Sequence, residues 1–218
     1  STNTQDAENR NIFDNVFRTM IERMPQFFIP LVNEIFGKDF LPDEKIELLK
    51  NEHMTLSGKI ITDSCLCIEN TEYHIECQSK PDGNIALRMF EYDVAIALGQ
   101  MKMKTGSQKI VFPKSCVIYL RSNKNTKEKE SVYVEFANGE TIAYEVPIIS
   151  VESYTKQEIF EKRLTLFLPY YIMRYEKQLK EIGQSDNKQE LFLEDYKEIR
   201  AYLEELLEGN ESVYADLV

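Results

Sequence analysis

The apolar positions fall into helical and strand-like periods that divide the chain cleanly. Ile12, Val16, Phe17, Met20 and Ile21 form one stripe and predict an amphipathic helix over 11–24. Pro25 ends it and can open the next, over 26–36, where Phe27, Phe28, Leu31, Val32, Ile35 and Phe36 share a face and Gly37 supplies a stop. A short helix is expected at 43–51, then a loop or first strand at 52–58. Residues 84–103 predict a longer helix on Ile85, Met89, Tyr92, Ile96 and Gly99, with Phe90, Val94 and Leu98 beside the stripe. The run IVFPKSCVIYL (110–120) suits a buried strand parallel to 73–80, with that helix as crossover. Asn138-Gly139 marks a hairpin of strands 131–137 and 141–147. Residues 155–179 read as helix with Pro169 a candidate break, 181–187 as a polar connector, and 188–208 as an acidic amphipathic helix.

The stretch KIITDSCLCIENTEYHIECQSK (59–80) alternates like two arms of a hairpin around a polar turn. A two-residue turn at Asn70-Thr71 pairs Glu69 with Glu72, Cys65 with Glu76 and Asp63 with Gln78. One side then carries Ile60, Leu66, Ile68, Tyr73, Ile75 and Cys77. The other carries Asp63, Glu72, His74, Glu76 and Gln78, with Ile61, Cys65 and Cys67. A slip of one residue would mix the apolar and polar sets, so burial selects this register. Asp63 and Glu76 become diagonal neighbours, close enough to share a divalent cation, since hard cations take carboxylate oxygens. Spacing alone describes a solvated face with ordinary surface acids better, because an acid pair on a hairpin is common. His74 reads as a strand-surface histidine or a neighbour of the acid pair, and His53 has no suggestive company.

Composition narrows the classes. At 218 residues the expectation is one domain, with a core over about 26–165 and a helical extension over 166–218. No run is apolar for long enough to span a bilayer, so no membrane partner is expected and a cytoplasmic protein is the default. Four cysteines without a CxxC pair predict buried reduced thiols rather than zinc. A net charge of −11 argues against whole-surface affinity for nucleic acid. The charge is uneven, however: Lys102, Lys104, Lys109, Lys114, Arg121, Lys124, Lys127 and Lys129 form a basic strip that either tracks a phosphate backbone or is an ordinary solvated edge.

Asp63 followed by Glu76-Cys77-Gln78 resembles the D…ExK signature of the PD-(D/E)XK nuclease superfamily, with Gln in place of Lys. YHIECQSKPDGNIALRMFEYDVAIAL (73–98), FPKSCVIYLR (112–121), the 144–179 stretch and the opening FDNVFRTM…PLVNEIFG (13–37) resemble the recombination-promoting nuclease or putative transposase family within it. The resemblance implies an α/β fold with a restriction-endonuclease-like core: a mixed central sheet flanked by helices, with extra C-terminal helices. It implies a metal-dependent DNA endonuclease tied to transposition or recombination. Magnesium or manganese would be held by Asp63, Glu76 and the Cys77 carbonyl, with Glu34 on the preceding helix completing the site and Asp14 its rival. Gln78 can hydrogen-bond a water but cannot act as base or carry charge, so Lys80 or Arg88 would have to supply the positive charge. Tyr92, four residues from Arg88, would support the site. Cutting both strands would fit a homodimer. A degenerate nuclease fold serving as a DNA-binding or protein-interaction module, and a nuclease toxin, are the alternative readings.

Overall fold

The computed structural model describes residues 16–55, 58–81, 83–100, 109–171 and 186–206. The chain divides into two compact units, Ser1–Ser150 and Val151–Val218.

The first unit is α/β. Its six-stranded open sheet runs β1 (Ile46–Leu48), β4 (Ser64–Ile68), β5 (Thr71–Gln78), β6 (Lys114–Tyr119), β8 (Thr141–Ser150) and β7 (Lys129–Glu135) from edge to edge. The sheet is mixed. β5, β6 and β8 are parallel, and β1–β4, β4–β5 and β7–β8 are antiparallel pairs. A separate two-stranded ribbon joins β2 (Glu52–Thr55) to β3 (Gly58–Ile61).

Helices flank the sheet. α1 is described over 16–23, a 3-10 turn at Pro25–Phe27 follows, and α2 spans Phe28–Phe36, ending at Gly37 with φ 59°. That left-handed value is where a glycine stop belongs. The Phe36 ring at the end of α2 lies 5.3 Å from Tyr73, on the apolar side of β5. α3 (Ile85–Gln100) covers the other side, burying Ile85, Ala86 and Met89 against Val117, Tyr119, Val146 and Ile148. It is the crossover between parallel β5 and β6, as the periodicity predicts. The Asn138-Gly139 turn also stands, with Gly139 at φ 85°.

Three expectations are corrected. Residues 43–51 contain β1 rather than a helix, because Ile46 and Leu48 pair along β4. The turn of the central hairpin is Glu69-Asn70, both at positive φ (48° and 61°), so Cys65 faces His74 and Cys67 faces Glu72. This register differs from the expected one by two residues, which preserves every side-chain face. Finally, the first arm is not continuous. The chain leaves the strand at Thr62-Asp63, where buried Thr62 donates its N–H to the Asn51 carbonyl at 2.9 Å.

The second unit is helical: 3-10 turns at Val151–Ser153 and Thr165–Phe167, α4 (Lys156–Glu161), α5 described over 168–171, and α6 (Asp186–Leu206). Thr155 and Glu158 form a reciprocal capping box that starts α4. Lys156 pairs with Asp195 at 2.6 Å, and Phe160 stacks on Tyr202 with ring centroids 4.7 Å apart. The helical run breaks at Arg163, whose φ is 54°, rather than at Pro169, which sits in the first turn of α5 where a proline is tolerated. Among the described residues no helix is long and apolar enough to cross a membrane.

Candidate active site

The break at Thr62-Asp63 creates the site. β4 stops pairing with β5 at Ser64–Ile75, so the β5 edge beyond it has no strand partner from β4. Asp63 fills that gap. Its carboxylate Oδ2 accepts the Cys77 N–H at 2.9 Å, and its own N–H donates to Glu76 Oε1 at 2.9 Å. The N–H and C=O of one strand residue point to the same side, so the Cys77 carbonyl also faces this open edge. The Gln78 carbonyl faces the other way and accepts the Leu120 N–H. The Asp63 and Glu76 side chains are thus tied to one another's strand where the two strands part.

The face expected to be polar is polar but not solvated. Asp63 is 6% exposed, Glu76 4% and His74 0%. His74 is therefore no strand-surface histidine. Its Nε2 lies 2.9 Å from Glu76 Oε1 and its Nδ1 2.7 Å from Asp93 Oδ1 on α3. Tyr144 on β8 donates its hydroxyl to Asp93 Oδ2 at 2.6 Å. The result is a continuous hydrogen-bonded chain: Asp63, Glu76, His74, Asp93, Tyr144.

Burial pulls the His74 pKa down, but the hydrogen bonds it donates to Asp93 and Glu76, reinforced by their charges, outweigh it and lift it to about 9. An imidazolium between two carboxylates is the consistent charge state near neutrality. Arg18 of α1 adds a second cation, with Nη2 3.3 Å from Asp63 Oδ1. Three buried carboxylates, Asp63, Glu76 and Asp93, therefore face two cations. Tyr144 is pushed well above the ordinary phenol range by burial and then by the Asp93 charge.

Tyr92 and Arg88 belong to this neighbourhood. The Tyr92 ring lies 6.1 Å from His74. Its phenol is raised by burial first and then by Glu76, with Asp63 adding and Arg88 opposing. Gln78, partly exposed, closes β5 on the same side as Glu76. Lys80 does not share that face as a strand residue, because β5 ends at Gln78 and Lys80 is exposed in the bend beyond. Glu34 is half-buried on α2. Among the described residues no three His, Cys, Asp or Glu side chains are arranged to hold a metal ion, so Glu34 is not gathered with Asp63 and Glu76 into such a group. Asp14 lies outside the described residues.

The donors present still fit a hard divalent cation in kind. Magnesium keeps several waters and needs only one or two carboxylates from the protein. All four cysteines are free; Cys65, Cys77 and Cys116 are buried while Cys67 is only partly so, and burial pushes Cys65 up to about 12 and raises Cys67 and Cys116. Of the basic strip, Lys102 and Lys104 lie outside the described residues. Lys127 and Lys129 pair with Glu130 and Glu145 at 3.1 and 2.7 Å.

Asp93, Tyr144 and Arg18 were not anticipated as site residues. Asp93 had a usable signal: it is an acid set among the apolar positions of the crossover helix, four residues after Met89 and three before Ile96. No protein-family model matches the chain, and no curated protein or solved structure matches it either.

Proposed function

We propose that this chain is a metal-dependent DNA endonuclease of the PD-(D/E)XK type, with a restriction-endonuclease-like core and a role in transposition or recombination. The observation that carries the reading is the tie between the two acids at the open strand edge: Asp63 donates its N–H to Glu76 Oε1, and its own carboxylate accepts the N–H of Cys77. These residues would hold magnesium or manganese, and such an ion would supply charge neutralisation at a phosphodiester and an activated water. The chain's own groups do the rest. His74 holds Oε1 of Glu76, the same oxygen that accepts the Asp63 N–H. The Cys77 N–H fixes Asp63 in orientation. Gln78 can orient a water without taking its proton. Arg88, near Tyr92, is better placed than Lys80 to meet phosphate charge.

A second reading has its own support. Arg18 and His74 already neutralise much of the acid pair, and Gln78 stands where a lysine would be expected. A degenerate fold retained as a DNA-binding or protein-interaction module has these features. Nicking of supercoiled plasmid by the full chain separates the two. The endonuclease reading requires cleavage that depends on magnesium or manganese and disappears in Asp63→Asn and in Glu76→Gln while folding is kept. Binding without cleavage under either metal, or cleavage unchanged in both variants, rejects it.

A further inference from the structure

We propose that the chain forms a two-fold dimer by pairing strand β7 with its counterpart in a second copy, joining the two sheets into one. This goes beyond the nuclease reading and does not depend on it. β7 is the last strand of the sheet, paired with β8 on one side, and among the described residues no strand covers its outer edge. Lys127, Glu128, Lys129, Glu130, Ser131 and Tyr133 line an open hollow of about 460 Å³ along that edge.

The pairing with β8 determines which backbone groups point outward. At the hairpin end the Phe136 N–H bonds to Glu140, and opposite Lys129 stands Pro147, which has no N–H to give. Hydrogen-bonded pairs alternate along an antiparallel ladder, so Glu130, Val132 and Val134 bond inward to β8. The N–H and C=O groups of Lys129, Ser131, Tyr133 and Glu135 face out.

A second β7 running antiparallel, with the two-fold axis at Val132, satisfies all of them. Lys129 then lies opposite Glu135 of the second copy, and Ser131 opposite its Tyr133. Each of these is a pair whose outward groups exchange both hydrogen bonds. The charges agree with the hydrogen bonds: each Lys129 meets a Glu135, twice by symmetry, and on the other face Val132 meets Val132. A shift of one residue would set Glu130 against Glu135 and turn the bonding groups away from each other. Edge strands carry charges to prevent indiscriminate pairing. Here the Lys at one end and the Glu at the other suit an isologous interface, in which the same patch must complement itself. Tyr133, 71% exposed, would be covered in the process. Lys129 also pairs with Glu145 of its own chain at 2.7 Å, so it would lie between two acids.

Light scattering after gel filtration, or sedimentation velocity, tests this on the full chain at high micromolar concentration. The expected mass is twice the 25.5 kDa of one chain. Glu135→Lys turns both cross-strand pairs repulsive and should weaken the dimer roughly ten- to hundredfold. Glu135 lies opposite Thr141 within its own sheet, so the substitution breaks no ion pair there. Glu135→Gln, which removes the attraction without adding repulsion, should weaken the dimer less than Glu135→Lys does. A monomeric wild type, or a Glu135→Lys protein that dimerises as tightly as wild type, overturns the pairing.

Discussion

Replacing His74 with Gln should remove a large pH dependence from the stability of the first unit. In the folded chain the His74 pKa is lifted from 6.5 to about 9, because the hydrogen bonds it donates to Asp93 and Glu76 overcome the opposing effect of burial. A raised folded pKa means that the native state holds a proton the unfolded chain releases. The resulting stabilisation is full below pH 6.5 and is lost as pH rises through about 9. A displacement of this size corresponds to on the order of 3 kcal/mol. Cys65, Cys116 and Tyr144, all raised chiefly by burial, erode stability at alkaline pH in both proteins. Urea denaturation of wild type and His74→Gln at pH 6 and pH 9.5 isolates the histidine as a difference of differences. At pH 6 the variant should be less stable by about 3–5 kcal/mol, since it leaves buried carboxylates without their cation. The gap should narrow by about 3 kcal/mol at pH 9.5. A gap that is the same at both pH values would refute an imidazolium between Glu76 and Asp93.

Tyr144→Phe should cost about 1–3 kcal/mol in the same assay, because Asp93 Oδ2 loses its 2.6 Å donor while remaining buried. Asn70→Gly should raise the urea midpoint, by a few tenths to about 1 kcal/mol, since both turn residues sit in the left-handed region that glycine enters freely; a lower midpoint would contradict the Glu69-Asn70 turn. In plasmid nicking, Arg88→Ala should lower the rate on the order of a hundredfold while Lys80→Ala leaves it nearly unchanged. The reverse order would return the missing positive charge to Lys80.

What was legible in the sequence was local. The stripe over 26–36, the crossover helix with its flanking parallel strands, and the Asn138-Gly139 hairpin each depend on neighbours within a few turns or one loop. The faces of the central hairpin were also legible, because a register error of two residues leaves parity intact. β1 was missed because a three-residue edge strand carries too little periodicity to separate it from one turn of helix. The break at Thr62-Asp63 is set by a hydrogen bond to Asn51, eleven residues away, and no alternation pattern encodes it. The histidine chain was hidden for the same reason. His74 meets Asp93 across 19 positions and, through it, Tyr144 two strands away in the sheet. A charged group expected in water is buried because three separate elements close over it.

Anomalous scattering from a manganese-soaked crystal of the full chain tests the acid pair directly. The account predicts a peak within bonding distance of the carboxylates of Asp63 and Glu76 and the Cys77 carbonyl, with Arg18 displaced from Asp63. No peak there, with Arg18 and His74 still seated on the two carboxylates, would contradict it.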